Sequence, residues 1–112
     1  MTSTFKPEAD LLVRAALQEK DLAGALRKAA EVACRLFGLP KIYFAQAIGR
    51  RLHHLTYYGE ETYLPAVKEP LGHNLYVFLE GAEQLDEEKK TVLLAALREV
   101  VELYADKGRE AL

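Results

Sequence analysis

Residues 49–59 read GRRLHHLTYYG: two arginines, two histidines and two tyrosines between glycines. These residue types could hold a metal, clamp a phosphate, move a proton or form a ligand shelf. The spacing decides among them. In a strand, adjacent side chains point to opposite faces, so His53 and His54 cannot both ligate one ion. His73 lies in a different loop, and Glu60, Glu61 or Glu69 would have to complete any site across loops. No metal centre is expected. Arg50 and Arg51, with Lys41 nearby, could form a small basic patch. Two arginines in a hairpin turn are better explained as a solvated tip.

Other catalytic arrangements fare no better. Ser3 is the only serine and stands outside any GxSxG elbow. Cys34, the only cysteine, sits inside the helix-forming run AAEVACRLFG, away from any histidine in sequence. It is expected to be a buried, inert thiol. The pairs Glu60–Glu61 and Glu87–Glu88 are explained by an exposed turn and a helix N-terminus. Phosphate-binding and dinucleotide glycine motifs are absent from the sequence. No catalytic residue and no cofactor are expected, and enzymatic activity is disfavoured.

The elements that must position these residues follow from periodicity. PEADLLVRAALQEK opens with Pro7 and acidic residues suited to a first helical turn. Asp21 is placed to cap DLAGALRKAAEVACRLFG, and Gly38 and Pro40 end it. The Asp21 signal favours two helices over one kinked helix across 7–37. KIYFAQAIGRRLHHLTYYG is β-branched and aromatic, and predicts a hairpin with arms near 41–47 and 51–58. TYLPAVKEPL is extended but interrupted by Pro65 and Pro70, which marks an edge or bulged strand. Gly72, His73 and Asn74 predict a three-residue loop, with Asn74 left-handed, before the strand LYVFL. Asp86 caps a final helix over about 86–107, stopped by Gly108.

The expected fold is therefore α+β, an α/β sandwich. An antiparallel sheet of about four or more strands (41–79) carries the N- and C-terminal helices on one face. At 112 residues, half hydrophobic and 29% charged, the chain fits a single domain over 1–112. With Lys+Arg 15 against Asp+Glu 17, no general attraction to nucleic acid or anionic lipid is expected. The N-terminal stretch lacks the apolar core of a signal peptide, and no stretch is long enough to span a bilayer. A cytoplasmic protein is expected. The absence of Trp, the single Met and Cys, and the mixed charge runs agree with a thermophilic source.

Over roughly residues 21–106 the order and the local residues resemble a small GAF domain. LAGALRKAAEVACRLFG is similar to that family's first long helix, KIYFAQAIGRRLHHLTYYG to its first hairpin and PLGHNLYVFLEG to its closing hairpin. LDEEKKTVLLAALREVVELYA resembles its last helix. PAS-like and roadblock-like folds share much of this order. Between Tyr58 and Pro65 only a few residues lie where GAF domains carry a long helical segment over a ligand pocket. The resemblance thus implies a domain whose cover is reduced or missing, without a covalent chromophore site or a redox cysteine pair.

Such a sheet leaves one face open, and its tyrosines and histidines can line that face. The expected wall is His53, Tyr57 and Tyr76, or the opposite set His54 and Tyr58, depending on register. In the last helix, Leu93, Leu97, Val100 and Tyr104 form the core stripe. The apolar surface is wider than one sheet needs, so a homodimer is expected, with Leu11, Leu94 and Val101 at its interface. The functional expectation is a non-enzymatic sensing or interaction module of GAF-like type. The alternative is a small-molecule sensor or minor enzyme with a shallow site on the open face.

Overall fold

A computed structural model describes residues 6–110 of the chain. Its elements are α1 (Lys6–Ala16), α2 (Leu22–Phe37), β1 (Lys41–Ile48), β2 (Arg51–Gly59), β3 (Ala66–Gly72), β4 (Leu75–Glu80), a 3-10 turn (Ala82–Gln84) and α3 (Glu87–Glu110). The chain is α+β, as its periodicities predict. Helices α1 and α2 are separate, because the Asp21 side chain accepts from Gly24 N–H at 2.7 Å and starts a new helix. Asp86 does the same for α3 through Lys89 N–H at 2.8 Å. Helix α2 ends at Gly38, which is left-handed, whereas α3 runs through Gly108 to Glu110 rather than stopping there.

All strand pairs are antiparallel, in the order β2-β1-β4-β3. The proline-bearing β3 is both an edge strand and bulged: Pro70 faces Tyr76 and Gly72 faces Leu75, which leaves Leu71 as the extra residue. The β3–β4 loop is shorter than its sequence suggests. Gly72 stays in β3, and His73 and Asn74 alone turn the chain, both left-handed at φ 54° and 64°.

Helix α2 packs over β1 and β2, α3 packs over β3, and α1 lies against α2 and α3. The face beneath the helices holds Ile42, Phe44, Leu75, Val77 and Leu79, all at most 2% exposed. Leu71 joins them from its bulge. From the helices come Leu12, Leu26, Leu93, Leu97 and Val100, each fully buried. Three polar contacts tie α3 to the β3 hairpin. Lys90 Nζ meets Glu69 at 2.9 Å, Arg98 Nε donates to Pro70 O at 3.1 Å, and His73 Nε2 lies 2.7 Å from Glu102 Oε1.

Tyr104 joins the two ends of the helical layer. Its hydroxyl donates to Ala16 O at 2.9 Å and also reaches Glu19 O, at the end of α1 and the turn that follows. Burial, then Glu19 and Asp21, hold its phenol above the ordinary range, so it stays a donor at neutral pH. Tyr104→Phe is expected to cost about 1 kcal/mol, because the buried hydrogen bond from the phenol to Ala16 O is lost. Urea unfolding checks this, and a loss below about 0.5 kcal/mol would remove the hydroxyl from the account of stability.

Candidate functional site

The position of every side chain in GRRLHHLTYYG is set by one irregularity. Ile42, Tyr43 and Phe44 face Tyr58, Tyr57 and Thr56 in turn, but Ala45 faces His54. Leu55 is therefore an extra residue, a β-bulge that packs against the core and reverses the alternation that follows. Tyr57 and His54 consequently share the open face, with ring centres 5.9 Å apart. Tyr58 packs on the helix side, and His53, opposite Gln46, stays exposed. The expected wall is corrected accordingly: Tyr57 and Tyr76 do share a face, but with His54, while His53 leaves it. The alternative set, His54 with Tyr58, is split as well.

Cross-strand register builds the open face in rows. Tyr57, Tyr43, Phe78 and Lys68 form one row across all four strands. His54, Ala45, Tyr76 and Pro70 form the next. The Tyr43 and Phe78 rings are stacked, 4.6 Å apart and 4° from parallel. Lys41 Nζ sits 5.5 Å from the Tyr43 ring centre and 5.2 Å from that of Tyr57, and Lys68 Nζ sits 4.6 Å from that of Tyr76. Such cation–π contacts stabilise by about 0.5–1 kcal/mol each at exposed positions. Neither lysine forms an ion pair among the described residues. In the adjoining row, Glu80 stands between Lys41 and Ala66, is 7% exposed and accepts from Thr62 Oγ1 at 2.6 Å. Burial and then Glu80 raise the Tyr43 phenol, so it remains protonated. Lys41 lies beside Gly59, at the opposite end of the β1–β2 hairpin from Arg50 and Arg51, so the three do not form one basic patch.

A concave site lies at the sheet edge rather than on this face. A groove of about 630 Å³ runs between α2 and the end of β2. Arg27, Cys34 and Arg35 form its helical wall, Tyr57 and Tyr58 the opposite one, and Glu60 and Glu61 its lip. Arg27 and Cys34 are seven residues apart, so α2 places them on one side (Arg35 follows directly). Arg35 meets Glu31 at 3.2 Å. Burial pushes the Cys34 thiol up to about 11, so at neutral pH it is a protonated packing group rather than a nucleophile.

That shift also has a consequence for stability. The neutral thiol is favoured in the folded chain, so its contribution is complete below the unfolded value near 9. It is lost as pH rises toward 11. The melting temperature is expected to fall from about pH 9 upward. Cys34→Ala should flatten the pH 9–10 part of that fall, leaving the later contributions of Tyr43, Lys90 and Tyr104. An identical slope in both proteins would show that Cys34 has no part in it.

The expected interface residues separate. Leu11 is 53% exposed, whereas Leu94 and Val101 are 7% and 1% exposed and belong to the chain's own core. The wide apolar surface of α3 is thus taken up within the chain, where α1 and α2 cover it. Leu94 and Val101 cannot meet another molecule while this core is intact. Among the described residues, no three His, Cys, Asp or Glu side chains come together as metal ligands, and no helix is long and apolar enough to cross a membrane. Ser3 lies outside the described residues.

Compared with family models, with curated proteins and with solved structures, the chain has no match.

The sequence carried a partial signal for the open face. In KIYFAQ the period of two puts Lys41 and Tyr43 together, and in LYVFLE it does the same for Tyr76 and Phe78. The pairing that joins these sets to Tyr57 and Lys68 is a long-range choice, and period alone does not contain it. The groove had no such signal, because its walls come from a helix and a strand brought together by folding.

Proposed function

We propose that this chain is a non-enzymatic, GAF-like sensing or interaction module that works as a homodimer, with the open sheet face as its working surface. One observation carries the reading. The helices occupy one face of the sheet, while the other bears a row of aromatic side chains with lysines that rest on the rings and form no ion pair among the described residues. The short β2–β3 connection, Glu60–Pro65, touches this face at the corner where Thr62 meets Glu80. In the family that it resembles, the corresponding segment covers a ligand pocket. A lidless domain of this kind suits contact with a partner better than enclosure of a small molecule. The chemistry supports a non-catalytic role: Cys34 is protonated, and His53 and His54 lie on opposite faces.

A second reading, a small-molecule sensor, is favoured by the groove between α2 and β2. Its volume is in the range of about 300–1,000 Å³ typical of ligand sites. A thermal-shift screen with nucleotides and small metabolites separates the two. No shift with any compound is the result expected of the interaction module. A shift of several degrees that Arg27→Ala abolishes would replace it with the sensor.

A further inference from the structure

The two edges of the sheet are not equivalent. Strand β3 is protected: Pro65 precedes it, Pro70 lies within it, Lys68 is exposed on it, and Arg98 of α3 bonds the Pro70 carbonyl. Proline and lysine on an edge, together with a bulge, are the usual means of blocking further strand pairing. Strand β2, at the other edge, has none of these but the bulge. It runs from Arg51 to Gly59 without proline, and no side chain among the described residues bonds its backbone. Its ladder with β1 continues past Gly59, where Glu60 N–H donates to Pro40 O at 3.3 Å.

The ends of this open strand are oppositely charged. Arg50 and Arg51 stand at its start, and Glu60 and Glu61 follow its end. All four are exposed, and none forms an ion pair among the described residues. In an antiparallel pair the start of one strand faces the end of the other. Because the Leu55 bulge reverses the alternation, facing residues of two β2 strands share a side when the two-fold lies between Leu55 and Thr56. His54 then meets the partner's Tyr57, Arg51 the partner's Glu60 and Arg50 the partner's Glu61. The two-fold repeats this contact at the other end. The open face carries Lys41 and Lys68 but no exposed carboxylate on its strands, so it offers a second copy no complementary charge.

We propose that two copies of this chain associate through their β2 edges, antiparallel about the point between Leu55 and Thr56, joining two sheets of four strands into one and leaving the aromatic faces side by side and open. This rests on the homodimer in the proposed function and names the surface that forms it.

The test is charge reversal read by sedimentation velocity at micromolar concentration. Arg50→Glu with Arg51→Glu, and separately Glu60→Lys with Glu61→Lys, are each expected to weaken the dimer at least about tenfold, since like charges then face each other. All four positions are exposed, so both variants should keep the circular dichroism spectrum of the parent. Mixing the two weakened variants should restore a dimer, because every facing pair is then opposite in charge. A dimer that survives both reversals, or a mixture that stays monomeric, overturns the β2 pairing but leaves a homodimer standing. Leu11→Glu then tests the helical side. A monomeric parent protein overturns the pairing and the homodimer together.

Discussion

Phe44→Ala is expected to lower the unfolding free energy by about 3–5 kcal/mol, among the largest losses of any single substitution in this chain. Phe44 is fully buried at the centre of the sheet, between Thr56 on one side and Val77 on the other. Its ring points to the face covered by helices, so removing it loses the transfer energy of the side chain and leaves a cavity as well. Neighbours can collapse only partly into that space, because the Leu55 bulge, the β1–β4 ladder and α2 are each fixed by other contacts. A domain of this size is stable by about 5–15 kcal/mol, so the variant would lose a large share of its margin. Urea unfolding at 25 °C measures the loss, and a value under about 1.5 kcal/mol would show that Phe44 is not central to the core.

Gly59→Ala is the second large effect, expected at about 2–4 kcal/mol, for reasons unrelated to apolar burial. Gly59 has φ of 113°, and a Cβ there would lie 2.2 Å from Pro40 O and 2.7 Å from Lys41 Cα. Backbone atoms cannot rotate away as a side chain can, so the exit of β2 would have to separate from the start of β1. That movement would also break the Glu60–Pro40 hydrogen bond and loosen the lip of the groove. Gly49, in the β1–β2 turn, is the control. Its φ is 63°, but no atom lies within 4 Å of its Cβ position, so alanine there meets only the left-handed penalty of about 1 kcal/mol. Equal losses at the two positions would show that the close approach at Pro40 contributes nothing.

The legible part of the fold was local. Asp21 and Asp86 each announce a helix through a hydrogen bond made three residues away, so a short window contains the whole cause. The prolines of TYLPAVKEPL mark a strand that cannot donate at every position, and β3 is an edge. Where a local rule competes with packing, the sequence misleads. Gly108 should end a helix on propensity, yet α3 continues. Leu94 and Val101 resemble an interface stripe only while α1 and α2 are out of view.

The candidate site divides in the same way. Strand periodicity by itself determined that the paired histidines and paired tyrosines of GRRLHHLTYYG must part, one of each to either face, because the period of a strand is two. Tertiary structure alone decided which histidine keeps company with which tyrosine. Leu55 leaves the ladder to pack against the core, and that single extra residue moves His54, rather than His53, to the side of Tyr57 and Tyr76. A bulge is a compromise between the hydrogen-bond register of one strand and the shape of a core assembled from distant segments, so its position is a property of the assembled fold.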